Sequence, residues 1–477
     1  MKHIKLILLG LCLIIVSSSQ AQMPQGRTKA TIIADALAQL PSNTPDKYNQ
    51  TMTDLISTGE EGLLELIGRM NPPGNKSNET IDYAISGWTH FAAGDETQRA
   101  IAANAFEKAL EQPLHKEVKA FVIRQLRTLG NDDNVDVLAG FLSDDVLSSP
   151  ASLALVSIGT EKANEALLNA LTSTGSEQIR LNLVNALGQT DYSKAESTLL
   201  GMLTENQSED MQKVLLNALA NIGTYNSVKV LKSFAEDSDF SYQKNNATAS
   251  YIQLLNRLNN ENPKNVKKEA NRLRKAAYKL DKQDIKISAT GMLLDQSSAK
   301  PDKILKDVIK DGDLTYLSGV LNSYPFKNDK KSVELIQEEL SKNKSTDVQT
   351  ALIYWLANNN IDGSASLIAG YIDSPNKMVQ KAACQSLVKT EGDESLLALA
   401  GLLKSDDNES VLLAKNALMT FDGDISYTLA SVFEDCGDAG KIAILELISN
   451  RKMESQYNLV YNQMFTDNIE VKSFATN

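Results

Sequence analysis

Paired acidic side chains are the residues of this 477-residue sequence whose spacing could do chemistry. Two carboxylates beside a substrate can act as general acid and base in hydrolysis, and several together can bind Ca²⁺. The pairs at comparable positions are Asp144 and Asp145, Asp237 and Asp239, Asp406 and Asp407, and Asp435 and Asp438. Asp311-Gly312-Asp313 and Asp422-Gly423-Asp424 are too short to be calcium loops. With 60 acidic residues pairs also arise by chance, so we interpret these as helix caps.

The other residue types of catalytic and metal sites do not form a known pattern. The sequence has no Gly-x-Ser-x-Gly, no His-Glu-x-x-His and no phosphate-binding glycine loop. His90 and His115 stand 25 residues apart without a neighbouring cysteine. Cys384 and Cys436 fall almost two repeats apart, which predicts two free thiols rather than a disulfide. We therefore expect no catalytic residue, no cofactor and no metal site in this chain.

A basic stretch covers residues 265–286. Its cations are Lys267, Lys268, Arg272, Arg274, Lys275, Lys279, Lys282 and Lys286, against Glu269, Asp281 and Asp284. One interpretation is a solvated helix face, with Leu273, Ala276, Ala277 and Leu280 buried. The other is a docking patch for an acidic protein or polysaccharide, in which Lys267, Lys268, Arg272 and Arg274 contact the partner.

Tyr324-Pro325-Phe326 lies in a predicted loop. Exposed aromatic side chains in loops bind sugars or peptides in some proteins, so Tyr324 and Phe326 are candidate partner-binding residues. The alternative is that both rings pack against the loop itself.

The elements that position these residues follow from a phrase that recurs along the chain. It is clearest as Leu138-Ala139-Gly140-Phe141-Leu142 and as Leu399-Ala400-Gly401-Leu402-Leu403. The position of Gly140 recurs at Asn169, Gly201, Ser233, Gly370, Gly401 and Ser431, in steps of 29 to 32 residues within each series. A fixed period near 30 residues with helical apolar spacing predicts a stack of two-helix units, helix A and helix B.

Helix A is marked by a glycine that follows its last apolar residue. Gly130, Gly159, Gly188 and Gly223 hold this position and are predicted to stop the helix in the left-handed conformation. Helix B then carries the recurring phrase, with Val135, Leu138 and Leu142 as its buried stripe.

The small residue within helix B needs a reason, because glycine in a helix interior costs about 0.5–1 kcal/mol relative to alanine. We interpret it as a site of close helix approach, so that replacing Gly401 by Leu would destabilise the fold. The alternative is a small residue that opens a groove for a ligand.

These units resemble HEAT-type repeats in a short form of about 30 residues, over residues 118–240 and 346–438. The resemblance implies an all-α fold, an α-solenoid of stacked two-helix repeats, and no active-site residue. Residues 22–117 read as an irregular helical block that caps the array, and residues 241–345 as an irregular helical segment. Regular repeats resume over residues 346–477, where the last repeat is incomplete.

Residues 1–21 are predicted to be a targeting segment. Lys2 and Lys5 precede an apolar run from Leu6 to Val16, and Ser19-Gln20-Ala21 fits a cleavage site. Lipid attachment at Cys12 is an alternative, disfavoured by its place inside the apolar run. The mature chain is thus expected outside the cytoplasm, periplasmic or extracellular, without a transmembrane segment. With 46 basic and 60 acidic residues left, it is not expected to bind nucleic acid.

Two functional hypotheses follow. The first is an exported, non-catalytic scaffold whose B helices hold a protein or glycan partner. The second is the non-catalytic front part of a longer exported enzyme, because secreted bacterial proteins with HEAT-like arrays resemble a group that carries a 3-keto-disaccharide hydrolase type domain. In that case the polypeptide would continue beyond Asn477, where a new helix A has just begun.

Overall fold

The structure, a computed structural model, describes residues 26–74, 77–204, 207–390 and 392–476. The predicted targeting segment, with Cys12, lies outside the described residues and stays a prediction. The chain separates into two compact units, residues 1–254 and 255–477. This boundary falls inside the segment 241–345 that the sequence marks as irregular.

The first unit consists of antiparallel helix pairs. Its helices are α1 (Lys29–Gln39), α2 (Pro45–Ile56), α3 (Gly59–Gly68), α4 (Glu79–Ala92), α5 (Glu96–Glu111), α6 (Lys116–Leu129), α7 (Val135–Ala139), α8 (Ser148–Ile158), α9 (Glu161–Ser173), α10 (Glu177–Leu187), α11 (Glu196–Leu203), α12 (Glu209–Ile222) and α13 (Val228–Glu236). The even-numbered helices from α2 to α12 pack one against the next, and α1, α3 and α5 likewise pack in series. Helix α14 (Ala247–Leu258) contains the boundary between the units.

The second unit repeats this arrangement. Its helices are α15 (Pro263–Leu280), α16 (Gln283–Leu294), α17 (Pro301–Asp311), α18 (Leu314–Ser323), α19 (Lys330–Lys342), α20 (Thr346–Asn358), α21 (Ser364–Ala369), α22 (Lys377–Thr390), α23 (Asp393–Leu402), α24 (Asn408–Met419), α25 (Ser426–Val432), α26 (Asp438–Asn450), α27 (Tyr457–Gln463) and α28 (Ile469–Thr476). The even-numbered A helices from α16 to α28 pack in series, and the odd-numbered B helices α21, α23 and α25 do the same. One core runs from Leu294 to Val471.

The described residues contain no β-strand, which confirms the predicted all-α class, a solenoid of stacked two-helix repeats. The alternation of A and B helices also covers the helices of residues 22–117 and 241–345, although no fixed period is visible there in the sequence. Each unit stays folded by contacts between neighbouring helix pairs.

Individual helices form for local reasons that the sequence displays. In α12, Ser208 caps the N-terminus by accepting a hydrogen bond from the Met211 amide at 3.3 Å. Leu215, Leu219 and Ile222 then recur every three or four residues and are buried. Burial of each such side chain contributes about 1.5–3 kcal/mol, more than the intrinsic helix propensity.

The glycines after the A helices correct one prediction. Only Gly159 is left-handed, with φ 69°, whereas Gly130 and Gly223 are extended and Gly188 is helical. At Gly188 the requirement is space, because a Cβ atom would lie 2.8 Å from the Cα atom of Ala218. Here the glycine permits close approach of α10 and α12.

The small residue within helix B does not pack against another helix, so the packing interpretation is wrong. Gly140, Asn169, Gly201, Ser233, Gly370, Gly401 and Ser431 are all exposed. A Cβ atom at Gly201 or Gly401 would meet no neighbouring atom within 4 Å. The buried stripe of helix B, Leu399 and Leu402 in α23, lies on the opposite side. The recurring small residue therefore marks a solvent-facing surface, as the groove alternative requires.

Replacement of Gly401 by Ala should therefore raise the free energy of unfolding by about 0.5–1 kcal/mol, since Ala restricts the unfolded chain and meets no clash. The matched control is Gly188→Ala, which should destabilise because its Cβ would press on Ala218. Urea unfolding of both variants measures the two changes. A destabilised Gly401→Ala protein would restore the packing interpretation.

Candidate functional site

The acidic pairs stabilise turns and helix ends. Asp144 accepts hydrogen bonds from the amides of Val146 at 2.9 Å and Leu147 at 3.1 Å, and a hydrogen bond from Lys116 lowers its pKa. Asp407 caps α24, and its hydrogen bond from Lys377 lowers its pKa. The capping interpretation is confirmed at Asp407, whereas Asp144 stabilises the turn before α8, whose N-cap residue Leu147 makes no side-chain cap hydrogen bond.

Asp435 has a different role: it pairs with Lys404 at 2.6 Å, which lowers its pKa. Within the described ranges, no three His, Cys, Asp or Glu side chains are grouped as a metal site would require.

The two cysteines are buried free thiols, as predicted. Burial raises the pKa of Cys384 to about 12 and also raises that of Cys436. Because a thiolate is the reactive form, neither side chain is a nucleophile at neutral pH.

The basic stretch forms α15 and the start of α16. Lys267, Lys268 and Arg272 are exposed, whereas Arg274 is half-buried. Arg272 pairs with the buried Glu269 at 2.6 Å, which ties it to its own helix. Docking by these four cations stays a prediction, in which Lys267 and Lys268 are the exposed cations without such an ion pair among the described residues.

Lys286 departs from the rest of the stretch, because it is only 4% exposed. Its ammonium lies 3.0 and 3.1 Å from the two carboxylate oxygens of Asp311. The rings of Tyr278 and Tyr316 enclose it, with centroids 3.9 and 4.0 Å away. The sequence analysis placed Lys286 on a solvated face, because it treated residues 265–286 as one helix. Lys286 lies on α16, beyond the turn that ends α15. The group is a structural ion pair inside an aromatic cage.

Replacement of Asp311 by Asn should lower the free energy of unfolding at pH 7 by about 3–5 kcal/mol, because Lys286 would keep its buried charge without a counter-charge. Glu161→Gln, which removes the exposed pair with Lys194, should change it by less than about 1 kcal/mol. Urea unfolding compares the two variants, and equal small losses would contradict a buried pair.

The same variant has a defined pH dependence. Burial raises the pKa of Asp311, but hydrogen bonds from Tyr278 and Lys286 lower it by more than burial raises it. The folded-state pKa of Asp311 therefore lies below 3.8. A depressed pKa stabilises the fold above the unfolded-state value, and this contribution is lost as the pH falls through the folded-state value. The difference between wild type and Asp311→Asn should hold at neutral pH and shrink below about pH 4. A difference that grows in acid would contradict it.

The aromatic loop residues are placed differently from each other. Phe326 is 0% exposed and belongs to the core, which corrects its interpretation as a surface aromatic. Tyr324 is half-buried and packs edge-on against Phe326, with ring centroids 4.8 Å apart. The packing alternative thus holds for Phe326.

Exposed apolar side chains instead occur on the last B helices, α23, α25 and α27, and in the turn after α27. We call this set the B-helix column: Leu397 is 60% exposed, Tyr427 73%, Tyr457 69%, Tyr461 47% and Phe465 67%. Leu397, Tyr427 and Tyr457 follow one another at intervals of 30 residues, one on each B helix. Exposed apolar side chains that recur at one repeat position are a candidate interaction site.

The repeat provides an internal comparison for the column. Leu397 and Tyr427 stand four residues before the small positions Gly401 and Ser431, and Tyr457 stands four before Tyr461. The equivalent residues of the earlier B helices are Asp136, Glu165, Ser197, Lys229 and Ser366, and all are exposed. The same outward position is therefore polar in five repeats and apolar in the last three.

The rings of the column are arranged in order. Tyr457 and Tyr461 are stacked with centroids 6.2 Å apart, and Tyr461 meets Phe465 edge-on at 5.2 Å. The hydroxyl groups of Tyr427, Tyr457 and Tyr461 make no hydrogen bond to any described residue. The surface can supply apolar contact and hydroxyl donors to a partner.

Sequence reasoning missed this column although its signal was present. The interval of 30 between Leu397, Tyr427 and Tyr457 is visible in the sequence. Because the small residue beside it was assigned to helix packing, the outward face of helix B was taken for an inward one.

The described residues include no helix long and apolar enough to cross a membrane.

A search of curated protein sequences found no match to this chain. The sequence profile of the HEAT repeats matches residues 164–252 in the first unit and 333–419 in the second. The HEAT profile thus covers helix pairs that the resemblance had identified by their spacing.

Solved structures match this chain at low sequence identity and with TM-scores below 0.5. Human deoxyhypusine hydroxylase in complex with glycerol is 15% identical, over 64% of this chain and 99% of that one, with TM-score 0.23. The karyopherin Kap121p bound to the SUMO protease Ulp1p is 12% identical over 94% of this chain, with TM-score 0.41. This chain matches 52% of that karyopherin, about half its length. The helix order and the two matched segments show the all-α solenoid of HEAT-like repeats.

Proposed function

We propose that this chain is a non-catalytic binding module that holds a protein partner on its B-helix column. The observation that carries the proposal is the change at one outward repeat position from polar residues to Leu397, Tyr427 and Tyr457. Packing does not account for the change, since these side chains are 60%, 73% and 69% exposed. Tyrosine is also enriched at the centres of protein interfaces.

Of the two predicted partner classes, a protein fits this surface better than a glycan. Leu397 supplies an aliphatic contact in the same row as the tyrosines. An apolar side chain of a protein partner can pack against Leu397, whereas the hydroxyl groups of a sugar cannot replace that apolar contact. The predicted targeting segment at residues 1–21 supports the further proposal that binding takes place outside the cytoplasm, in the periplasm or beyond.

The second hypothesis, a front part of a glycan-active hydrolase, stays a prediction that concerns polypeptide beyond Asn477. It is compatible with the binding role, because a scaffold can position a separate catalytic domain. Reading the coding sequence past Asn477 decides it.

A photo-crosslinking amino acid at position 427 tests the proposed function in the cell that makes the protein. Benzoylphenylalanine there should form an adduct with a second polypeptide, because Tyr427 is exposed on the column. The matched control is Ser197, which holds the equivalent exposed position in the first unit and should give no adduct.

Two results would refute the binding role of the column. One is equal adduct formation at positions 197 and 427. The other is an adduct at 427 that persists after Leu397→Ser and Tyr457→Ser, since these changes remove the neighbouring contacts.

A further inference from the structure

We infer that the B-helix column binds an extended, proline-rich and basic peptide segment. This inference rests on the proposed function and adds the chemistry of the partner. It follows from the spacing of the column, its free hydroxyl groups, the small residues beside it and the charge around it.

The spacing of the column suits a regular extended chain. Leu397, Tyr427 and Tyr457 lie on successive B helices, of which α23 and α25 pack together, and packed helices are separated by about 8–10 Å. A polyproline II segment advances about 3.1 Å per residue, so every third residue recurs after about 9.3 Å on the same side. A peptide with proline at every third position can therefore place one ring against each repeat.

Spacing alone does not exclude a partner helix, because seven helical residues advance about 10.5 Å. The hydroxyl groups of the tyrosines distinguish a polyproline II partner from a helical one. Those of Tyr427, Tyr457 and Tyr461 make no hydrogen bond to a described residue. The carbonyl groups of a polyproline II chain have no internal donor and can accept these hydrogen bonds, whereas those of a helix are already occupied.

Small residues beside Leu397 and Tyr427 leave room for a backbone, whereas Tyr461 holds the equivalent position beside Tyr457. Gly401 lies four residues after Leu397, and Ser431 lies four residues after Tyr427, both exposed. A Cβ atom at Gly401 would find open space, so no side chain of the described residues stands over this position. An extended backbone can thus approach helix B between the apolar side chains.

The net charge of the last repeats indicates which charge the partner carries. Residues 393–476 contain 14 acidic and six basic residues, a net charge of −8. A segment with arginine or lysine between its prolines would be attracted to this surface, and a segment with glutamate would be repelled.

Fluorescence anisotropy with labelled synthetic peptides tests the inference on the chain of residues 22–477. A peptide of four Pro-Arg-Ala triplets, with proline at every third residue, should bind. A peptide of the same composition with irregular proline spacing, and one with Glu in place of Arg, should each bind at least about tenfold more weakly, a loss of about 1.4 kcal/mol.

Variants of the protein locate the site. Tyr427→Ser should weaken binding at least about tenfold, and Tyr427→Phe about twofold to tenfold through the lost hydroxyl donor. Lys229→Ser, at the equivalent position of the first unit, should leave peptide binding unchanged except for the small effect of removing one positive charge from the protein. Circular dichroism and the urea midpoint verify that each variant is folded.

Several results would overturn the inference. These are equal binding of regular and irregular peptides, tight binding of a helical peptide instead, and binding of a neutral oligosaccharide that depends on Tyr427 without peptide binding. Self-association in sedimentation that Tyr427→Ser abolishes would also overturn it. If position 427 forms its protein adduct in the cell while the peptides do not bind, the partner chemistry is wrong and the binding role stands.

Discussion

Each helix pair of this chain buries its apolar stripe only against the pairs before and after it. In the second unit this produces one core from Leu294 to Val471, in which every A helix contacts the next. Polar side chains reinforce the same contacts: Arg451 donates to the carbonyl groups of Leu418 at 2.6 Å and Phe421 at 2.7 Å, one repeat earlier. Gln380 donates to Ser410 at 2.9 Å across the preceding junction, between α22 and α24. Stability is therefore local, and it constrains the inward positions of every repeat.

The same constraint leaves the outward positions of helix B free. Asp136, Ser197 and Lys229 hold this position in the first unit and are exposed and polar. A large apolar side chain at that position, such as Tyr427, lowers solubility without adding a core contact. Its presence in three consecutive repeats needs an explanation other than folding, and a bound partner supplies one. A repeat protein can thus place a recognition surface along its axis without altering its core.

The sequence was sufficient for the architecture because period and helix spacing are local signals. The stripes of α6 to α13 and the free thiols Cys384 and Cys436 followed from them. Whether a small residue faces solvent or a neighbouring helix could not be predicted from the adjacent residues. Gly401 faces water and Gly188 contacts α12, although both are glycines near an apolar run. Phe326 reached the core through a turn whose path the sequence does not specify.

The buried Lys286 shows the same limit for charge. Its partner Asp311 lies 25 residues away, and its cage combines rings from α15 and α18. The sequence contains each of these residues, but a one-helix pattern predicts exposure for a lysine at the start of α16. Only the packing of four helices, α15 to α18, shows that this cation is enclosed.

The central claim is that the column serves binding and not folding. Equilibrium urea unfolding of the double variant Leu397→Ser and Tyr427→Ser tests it most directly, because neither side chain belongs to the buried core. The account predicts a free energy of unfolding within about 0.5 kcal/mol of wild type per substitution, as for exposed positions. A loss of about 2 kcal/mol or more per substitution, as in a core truncation, would show that these side chains support the fold and would contradict it.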